Sequence, residues 1–382
     1  MDYVYLDYAA SAPLRPEALA AEKAYETSII AGVNPNSLHT LGRQAARALD
    51  GARADLVRVL GGNFRAPGVI FCSGGTEANN LAVLGIAEGA RNKKRQRTTV
   101  VFSAIEHDSI LDVAPVLRER GFEVRIVQPD RKGKIEPYAL ESLLDENVAL
   151  VSVMYANNET GVIQPIPELA QAAHKVGALF HTDAVQAFGR IPLDVLDVDA
   201  ISIAAHKIGG PFGIASLVVR SKTPLRAQSF GGGQEAGRRH GTQDVRSALG
   251  FAAAAKWCQL HLDETQEIVS SRANKMYKKL CTSSKIKPTT EAYTGGDHMP
   301  GTISILVPSM DSETLVLKLD QAGFEVSAGS ACSSSSLAAS HVLTAMGISK
   351  NDALGSLRIS FDERVGESEL NDFCETLLGI VG

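Results

Sequence analysis

No C-x-x-C pair occurs anywhere in this chain. Its five cysteines, Cys72, Cys258, Cys281, Cys332 and Cys374, are odd in number and scattered. A disulfide framework or a structural zinc site is therefore not expected, and a reducing cytoplasm is the setting that fits. No apolar run reaches the ~18 residues that a membrane span needs. The opening "MDYVYLDYAASAP" has no basic stretch followed by an apolar one, so no secretory signal is read there. The charge balance gives no reason to expect nucleic acid or an anionic membrane as partner: the net charge is -5, the pI is near 6.0, and Lys and Arg are dispersed. The one basic cluster, "RNKKRQR" (91–97), reads as a solvated helix end. Internal repeats, low-complexity segments and long disordered linkers are missing too.

What is present is the composition of a globular protein, 45% hydrophobic and 21% charged, in 382 residues. That length supports a large core and two lobes. Apolar, Val/Ile-rich segments at 68–73, 98–104, 123–128, 148–156, 178–184, 200–205 and 214–220 read as strands covered on both faces. Helix-like stretches such as "TEANNLAVLGIAEGARN" and "IPELAQAAHKVG" lie between them. The alternation predicts an α/β fold with a doubly wound sheet. After about residue 250 the rhythm changes. Residues 247–280 read as a long helix with room for one break. Shorter strands at 301–308 and 356–362 follow, as in a smaller α+β lobe.

The chemistry gathers where strands end. "SIAAHKIGGPFG" (202–213) passes from an apolar strand into His206 and Lys207. A lysine there is costly to bury unless it is used. "CSGGTEANN" (72–80) leaves a strand through glycines and enters a helix, which suits a phosphate, because free N–H groups and the helix dipole both favour an anion. The same pattern also describes a plain N-capped helix, and it is not a Walker A sequence. His107 follows the strand at 98–104, Asn157 the strand at 148–156, and Asp183 and Gln186 the strand at 178–184. Each alone is compatible with a hydrogen-bonded structural residue. Together they supply what pyridoxal 5'-phosphate needs: an anion cradle, a flat imidazole, a carboxylate for the ring nitrogen and a lysine for a Schiff base.

In this order the stretches "YLDYAASAP", "SGGTEANN", "EHDSIL", "ANNETGVIQPI", "HTDAVQAFG", "HKIGGPFGIA", "GGGQEAGRRHGT", "VSAGSACSSSS" and "LRISF" resemble the cysteine desulfurases of the NifS/IscS type, in the class V aminotransferase family and the fold-type I group of pyridoxal-phosphate enzymes. The resemblance implies a large domain over 15–250 with a mostly parallel seven-stranded sheet. It implies a smaller α+β domain from 1–14 and 251–382. Lys207 would be the cofactor lysine, and His107 would stack on the ring and serve in proton transfer. Asp183 would meet the ring nitrogen and Gln186 the phenolic oxygen, with Asn157 beside the ring. Gly75, Thr76 and His206 would hold the phosphate, joined by Thr242 from the other subunit of a homodimer. Arg358 and Asn34 would grip the carboxylate of L-cysteine. Cys332, on a run of small residues, would take the sulfur as a persulfide while L-alanine leaves. It would then pass the sulfur to a protein acceptor such as an iron–sulfur scaffold or a thiolation protein. By its residues alone Cys332 is equally a small buried hydrophobe.

Three differences from the family pattern, spread over four positions, stand in one stretch. Ala204-Ala205 stands where members have Ser-Gly, which removes a hydroxyl from the phosphate. Gly209 replaces a tyrosine and Phe212 a lysine. With "FCETLLGIVG" as its last residues, the resemblance leads one to expect a scaffold-docking tail shorter than some members carry. A related lyase or aminotransferase is the rival enzyme reading, against which Cys332 argues. A cofactor-poor sulfur carrier or regulatory homologue is the non-enzyme rival, motivated by Ala204.

Overall fold

The structure is a computed structural model and describes residues 3–290, 296–329 and 339–382. Eight strands precede residue 220: β1 (Val4–Tyr5), β2 (Val69–Cys72), β3 (Thr99–Ser103), β4 (Glu123–Val127), β5 (Val148–Ser152), β6 (Leu179–Asp183), β7 (Ala200–Ala204) and β8 (Ala215–Val219). Strands β2 to β8 form one sheet in the order β2-β8-β7-β6-β5-β3-β4. β8 runs antiparallel to both of its neighbours, and the other pairings are parallel. Each apolar segment read as a strand is one. Along β3, Val101 belongs to one core cluster while Val100 and Phe102 belong to another. Both faces are covered, so the sequence runs apolar without alternation.

The second sheet uses β9 (Lys287–Pro288), β10 (Thr302–Leu306), β12 (Ser327–Ala328) and β13 (Ser356–Ser360), all antiparallel, in the order β12-β13-β10-β9. The short β11 (Phe324–Glu325) pairs in parallel with β1. Leu6 and Tyr8 accordingly share a core with Ile303, Leu357, Phe361 and Phe373. The long helical stretch is broken once, at His261, between helices Val245–Leu260 and Leu262–Leu280. The His261 ring stacks on Trp257 at 4.3 Å there. Among the described residues no helix is long and apolar enough to cross a membrane.

The basic cluster at 91–97 is solvated as expected, with one exception. Arg97 is buried and donates to the carbonyls of Val148 (2.6 Å) and Val176 (2.9 Å). Val176 caps the C-terminus of helix Ile166–Lys175. A buried strand edge and a helix end leave acceptors without partners, and a forked guanidinium answers both.

Candidate active site

In an open α/β sheet, ligands bind outside the carboxyl ends of the strands, where the strand order reverses. Here the chain leaves β3 toward β4 and leaves β5 toward β6, so the crevice opens between β3 and β5. His107 follows β3 and Asn157 follows β5. Asp183 and Gln186 lie at the end of β6, and His206 and Lys207 beyond β7.

Three of these residues are joined by direct contacts. Lys207 Nζ donates to the carbonyls of Ala9 (2.6 Å) and Ala10 (2.9 Å). Gln186 Nε2 donates to the same Ala9 oxygen at 2.9 Å. The segment "DYAASA" (7–12) thus lies across the lysine, and Ala12 N–H donates to His206 O at 2.9 Å. Asp183 is buried, and its two oxygens accept from Val185 N (2.9 Å) and Asn79 Nδ2 (2.7 Å). A carboxylate has about four lone-pair sites, so acceptor capacity remains for a ring N–H.

Helix Gly75–Lys93 begins beside this group. Its N-cap, Gly74, has no side chain to cap the first N–H groups of the helix. A Cβ on Gly75 would come within 3.2 Å of Val185 Cγ2 and 3.9 Å of Ala204 Cβ. Glycine therefore keeps this end of the sheet open to an anion. Thr76 is exposed at the same turn. Glu77 in this turn is tied to Arg239 at 2.8 Å. Burial pushes its carboxyl up, but the Arg239 and Ser73 hydrogen bonds prevail and hold it below the usual range.

His206 is half-buried, and among the described residues its buried Nδ1 has no partner. Burial, then the nearby Lys207 charge, push the imidazole down to about 4. Phe212 packs on this ring at 5.7 Å. Gly209 has φ +76°, and a Cβ there would meet Arg15 Cγ at 2.6 Å, so Arg15 fills the space of a larger side chain. Ala204 is fully buried. Ser202 does not compensate for it freely, because its hydroxyl is already engaged with His181 Nε2 at 3.0 Å. An orphaned imidazole nitrogen, an uncapped helix start, an open glycine floor, a buried carboxylate and a lysine are a donor and acceptor set that fits pyridoxal phosphate.

The remaining expected residues are placed less directly. Asn157 is buried and fully occupied by its own surroundings. Its Nδ2 reaches Ile105 O (3.0 Å), and its Oδ1 accepts from Glu159 N (3.0 Å) and Thr160 N (2.8 Å). It braces the β3 and β5 loops against each other. Arg358, on β13, is buried and not a surface ion pair. Its Nη1 donates to Asn158 O (3.0 Å) and its Nη2 to Asp7 Oδ1 (2.8 Å), while Nε has no partner among the described residues. Asn34 is exposed, bonded to Asn36 N (2.9 Å), and among the described residues no hydrogen bond joins it to Arg358. Asn36 in turn reaches Gln243 at 2.8 Å, beside the exposed Thr242. Cys332 lies outside the described residues. The other four thiols are poor nucleophiles: burial pushes each of them up, Cys258 and Cys374 to about 11.

Three residues to which the sequence assigns no role shape the site; one of them, Glu159, follows the strand at 148–156 with Asn157 and Asn158. Asp7 partners Arg358. Glu159, buried, accepts from Ser340 Oγ at 2.5 Å and lies 3.8 Å from a Cβ built on Gly329, so it stands between residues that flank 330–338. Glu106 is fully buried; its Oε1 accepts from Ser103 Oγ and from Met154 N (2.8 Å), and its Oε2 has no partner. Burial pushes its carboxyl up to about 8. Only the acidic residue before His107 hinted at it.

Glu106 makes stability depend on pH in a stated direction. The unfolded chain loses this proton near 4.5, whereas the fold keeps it to about 8. The folded state binds more protons across that window, so the contribution of Glu106 to stability falls as pH rises from about 4.5 to about 8. Glu106→Gln therefore raises the melting temperature relative to wild type more at pH 8 than at pH 6. An equal difference at both values would mean that Glu106 is ionised in the fold.

Comparison with known proteins shows the family. The aminotransferase class-V family model matches residues 4–373. The chain is 36% identical over 383 residues to "Cysteine desulfurase IscS" of Dictyoglomus turgidum, covering 99% of this chain and 94% of the relative. It is similar to the structure of a "NifS-like protein" with a TM-score of 0.90 and 32% identity, covering 99% of both chains. It is also similar to "SspA in complex with cysteine", with a TM-score of 0.79 and 30% identity over 94% of this chain and 98% of that one. The protein therefore belongs to the class-V aminotransferase family, among its cysteine desulfurases of the NifS and IscS type.

Proposed function

We propose that this chain converts L-cysteine to L-alanine with pyridoxal 5'-phosphate and carries the sulfur away as a persulfide on Cys332. The observation that carries the site assignment is the meeting of Lys207 and Gln186 on Ala9 O, beside the buried Asp183 and the open start of helix Gly75–Lys93. When bound, the cofactor supplies an electron sink for the bonds at the substrate's Cα. The chain's residues do the rest. Gly75, Thr76 and His206 would hold the phosphate, and Asp183 would keep a proton on the ring nitrogen. Gln186 would face the phenolic oxygen, and Lys207 would hold the cofactor covalently. Arg358 Nε, buried and unpartnered, would meet the substrate carboxylate, with Asn34 completing the grip. The substrate C–S bond breaks, an S–S bond to Cys332 forms, and the substrate carbon takes up the proton lost by the thiol. Thr242, exposed beside Gln243, would serve the site of a second copy, so the active unit is a homodimer. A protein thiol or iron–sulfur scaffold would receive the sulfur.

The test is an assay of alanine and persulfide from L-cysteine. Equal yields of both support the reading. Pyruvate without persulfide would support a lyase, and amino-group transfer without sulfur release an aminotransferase.

Ala204 offers a separate check. Its Cβ stands close to the phosphate floor at Gly75, and Ser202 is engaged elsewhere. Ala204→Ser adds a hydroxyl beside an anion, a bond worth about 1.5–3 kcal/mol. Pyridoxal phosphate titrated into apo-protein should bind more tightly, about tenfold for each ~1.4 kcal/mol. Equal or weaker binding would show that the phosphate is already satisfied.

A further inference from the structure

The ring-nitrogen carboxylate and the stacking histidine stand on different strands, yet one chain of hydrogen bonds connects them. Asn79 lies in the second turn of helix Gly75–Lys93 and is 1% exposed. Its Nδ2 donates one hydrogen to Asp183 Oδ2 (2.7 Å) and the other to Ser109 Oγ (2.9 Å). Ser109 Oγ lies 2.9 Å from His107 Nδ1, and Ser109 N–H donates to the same nitrogen at 3.0 Å. Asn80 Nδ2 donates to Ser109 O at 2.8 Å, which fixes the short helix Asp108–Leu111 against the longer one.

The directions follow from the donors and acceptors. An ionised carboxylate only accepts, so the Asn79 amide must present its NH2 to Asp183. Its second hydrogen then goes to Ser109 Oγ, which leaves the serine proton to be donated onward. The acceptor is His107 Nδ1, already aimed at by a backbone N–H. A nitrogen that receives two donors carries no proton of its own in the neutral ring, so the proton sits on Nε2. Asn79 Oδ1 is buried with no partner among the described residues. Leaving a buried acceptor unsatisfied is unfavourable, and turning the amide to satisfy it would set an oxygen against the Asp183 carboxylate.

We infer that Asn79 and Ser109 are positioning residues that set His107 in its Nε2–H tautomer and tie its orientation to Asp183. His107 then faces the reacting group with a hydrogen-bond donor. The helix that opens the anion cradle also carries Asn79, so cradle, ring-nitrogen carboxylate and histidine are registered by one rigid element. The inference rests on the function proposed above, with Asp183 at the ring nitrogen and His107 in the stacking and proton-transfer role that the resemblance implies.

The test uses the cofactor-loaded wild-type protein labelled with nitrogen-15 in its histidines, with His107→Gln to assign the His107 signals. The expected spectrum has an acceptor-type Nδ1 and a protonated Nε2; a protonated Nδ1 in the neutral ring overturns the inference. Kinetics supply a second reading. Ser109→Ala should lower kcat on the order of tenfold, about the rate equivalent of one hydrogen bond in the site, with KM nearly unchanged. Ser109→Thr, which keeps the hydroxyl, should recover most of it. Asn79→Leu should also lower kcat, and the double variant should be no worse than the poorer single one, because both act through His107. Additive losses, or a Ser109→Ala variant with wild-type kcat, overturn the inference. If wild type forms no alanine from L-cysteine, the proposed function fails instead, and the nitrogen-15 spectrum still decides the tautomer.

Discussion

Replacing Lys207 by alanine abolishes turnover and removes the visible absorption of lysine-bound pyridoxal phosphate. The lysine ends the buried strand β7, and its Nζ sits with Gln186 on one carbonyl oxygen, Ala9 O. Alanine leaves no amine at that point. The expected fall in kcat is on the order of 10⁴-fold or more, as for loss of any activated nucleophile. The fold should survive, since this side chain bonds to the carbonyls of Ala9 and Ala10 at the edge of the site. Borohydride reduction of the variant is the check. Cofactor trapped covalently in Lys207→Ala would mean that another lysine holds it.

Cys332→Ser should bind pyridoxal phosphate and L-cysteine normally and yield almost no persulfide. Serine has nearly the same size and lacks the polarisable sulfur, so a loss of at least about 10²-fold in alanine release is expected. Three of the other four cysteines are not placed to substitute. Cys72, Cys258 and Cys374 are buried, and burial pushes all three thiols up. Near-normal alanine release from Cys332→Ser would show that this thiol is not the sulfur acceptor.

The parts of the site that were legible in the sequence are those governed by local pattern. Strands β2 to β8 show as apolar segments because both faces of their sheet are covered. Lys207, Asp183 and His107 show because polar residues follow those segments directly. The rest depends on tertiary neighbours. Arg358 and Asp7 are 351 residues apart, and no periodicity couples them. Asn79 reads as a helix residue in "SGGTEANN" until the fold sets it between Asp183 and Ser109. Arg97 reads as part of a solvated helix end and Glu106 carries no signal of its burial, because charge alone does not reveal it and the backbone partners of both are brought in by other parts of the chain. Asn157 was readable as a site residue, but its bonds to Ile105 and Thr160 follow from loop geometry. The departures at Gly209 and Phe212 likewise gain a reason only in three dimensions, from Arg15 and from the His206 ring.

The most direct test of the central claim is mass analysis of wild-type protein loaded with pyridoxal phosphate, after a brief exposure to L-cysteine without reductant. The account predicts that the peptide bearing Cys332 becomes heavier by one sulfur atom, that the label is lost on reduction, and that alanine appears in equal amount. Alanine formed with the added sulfur on a different cysteine, or with none on the protein, would contradict it.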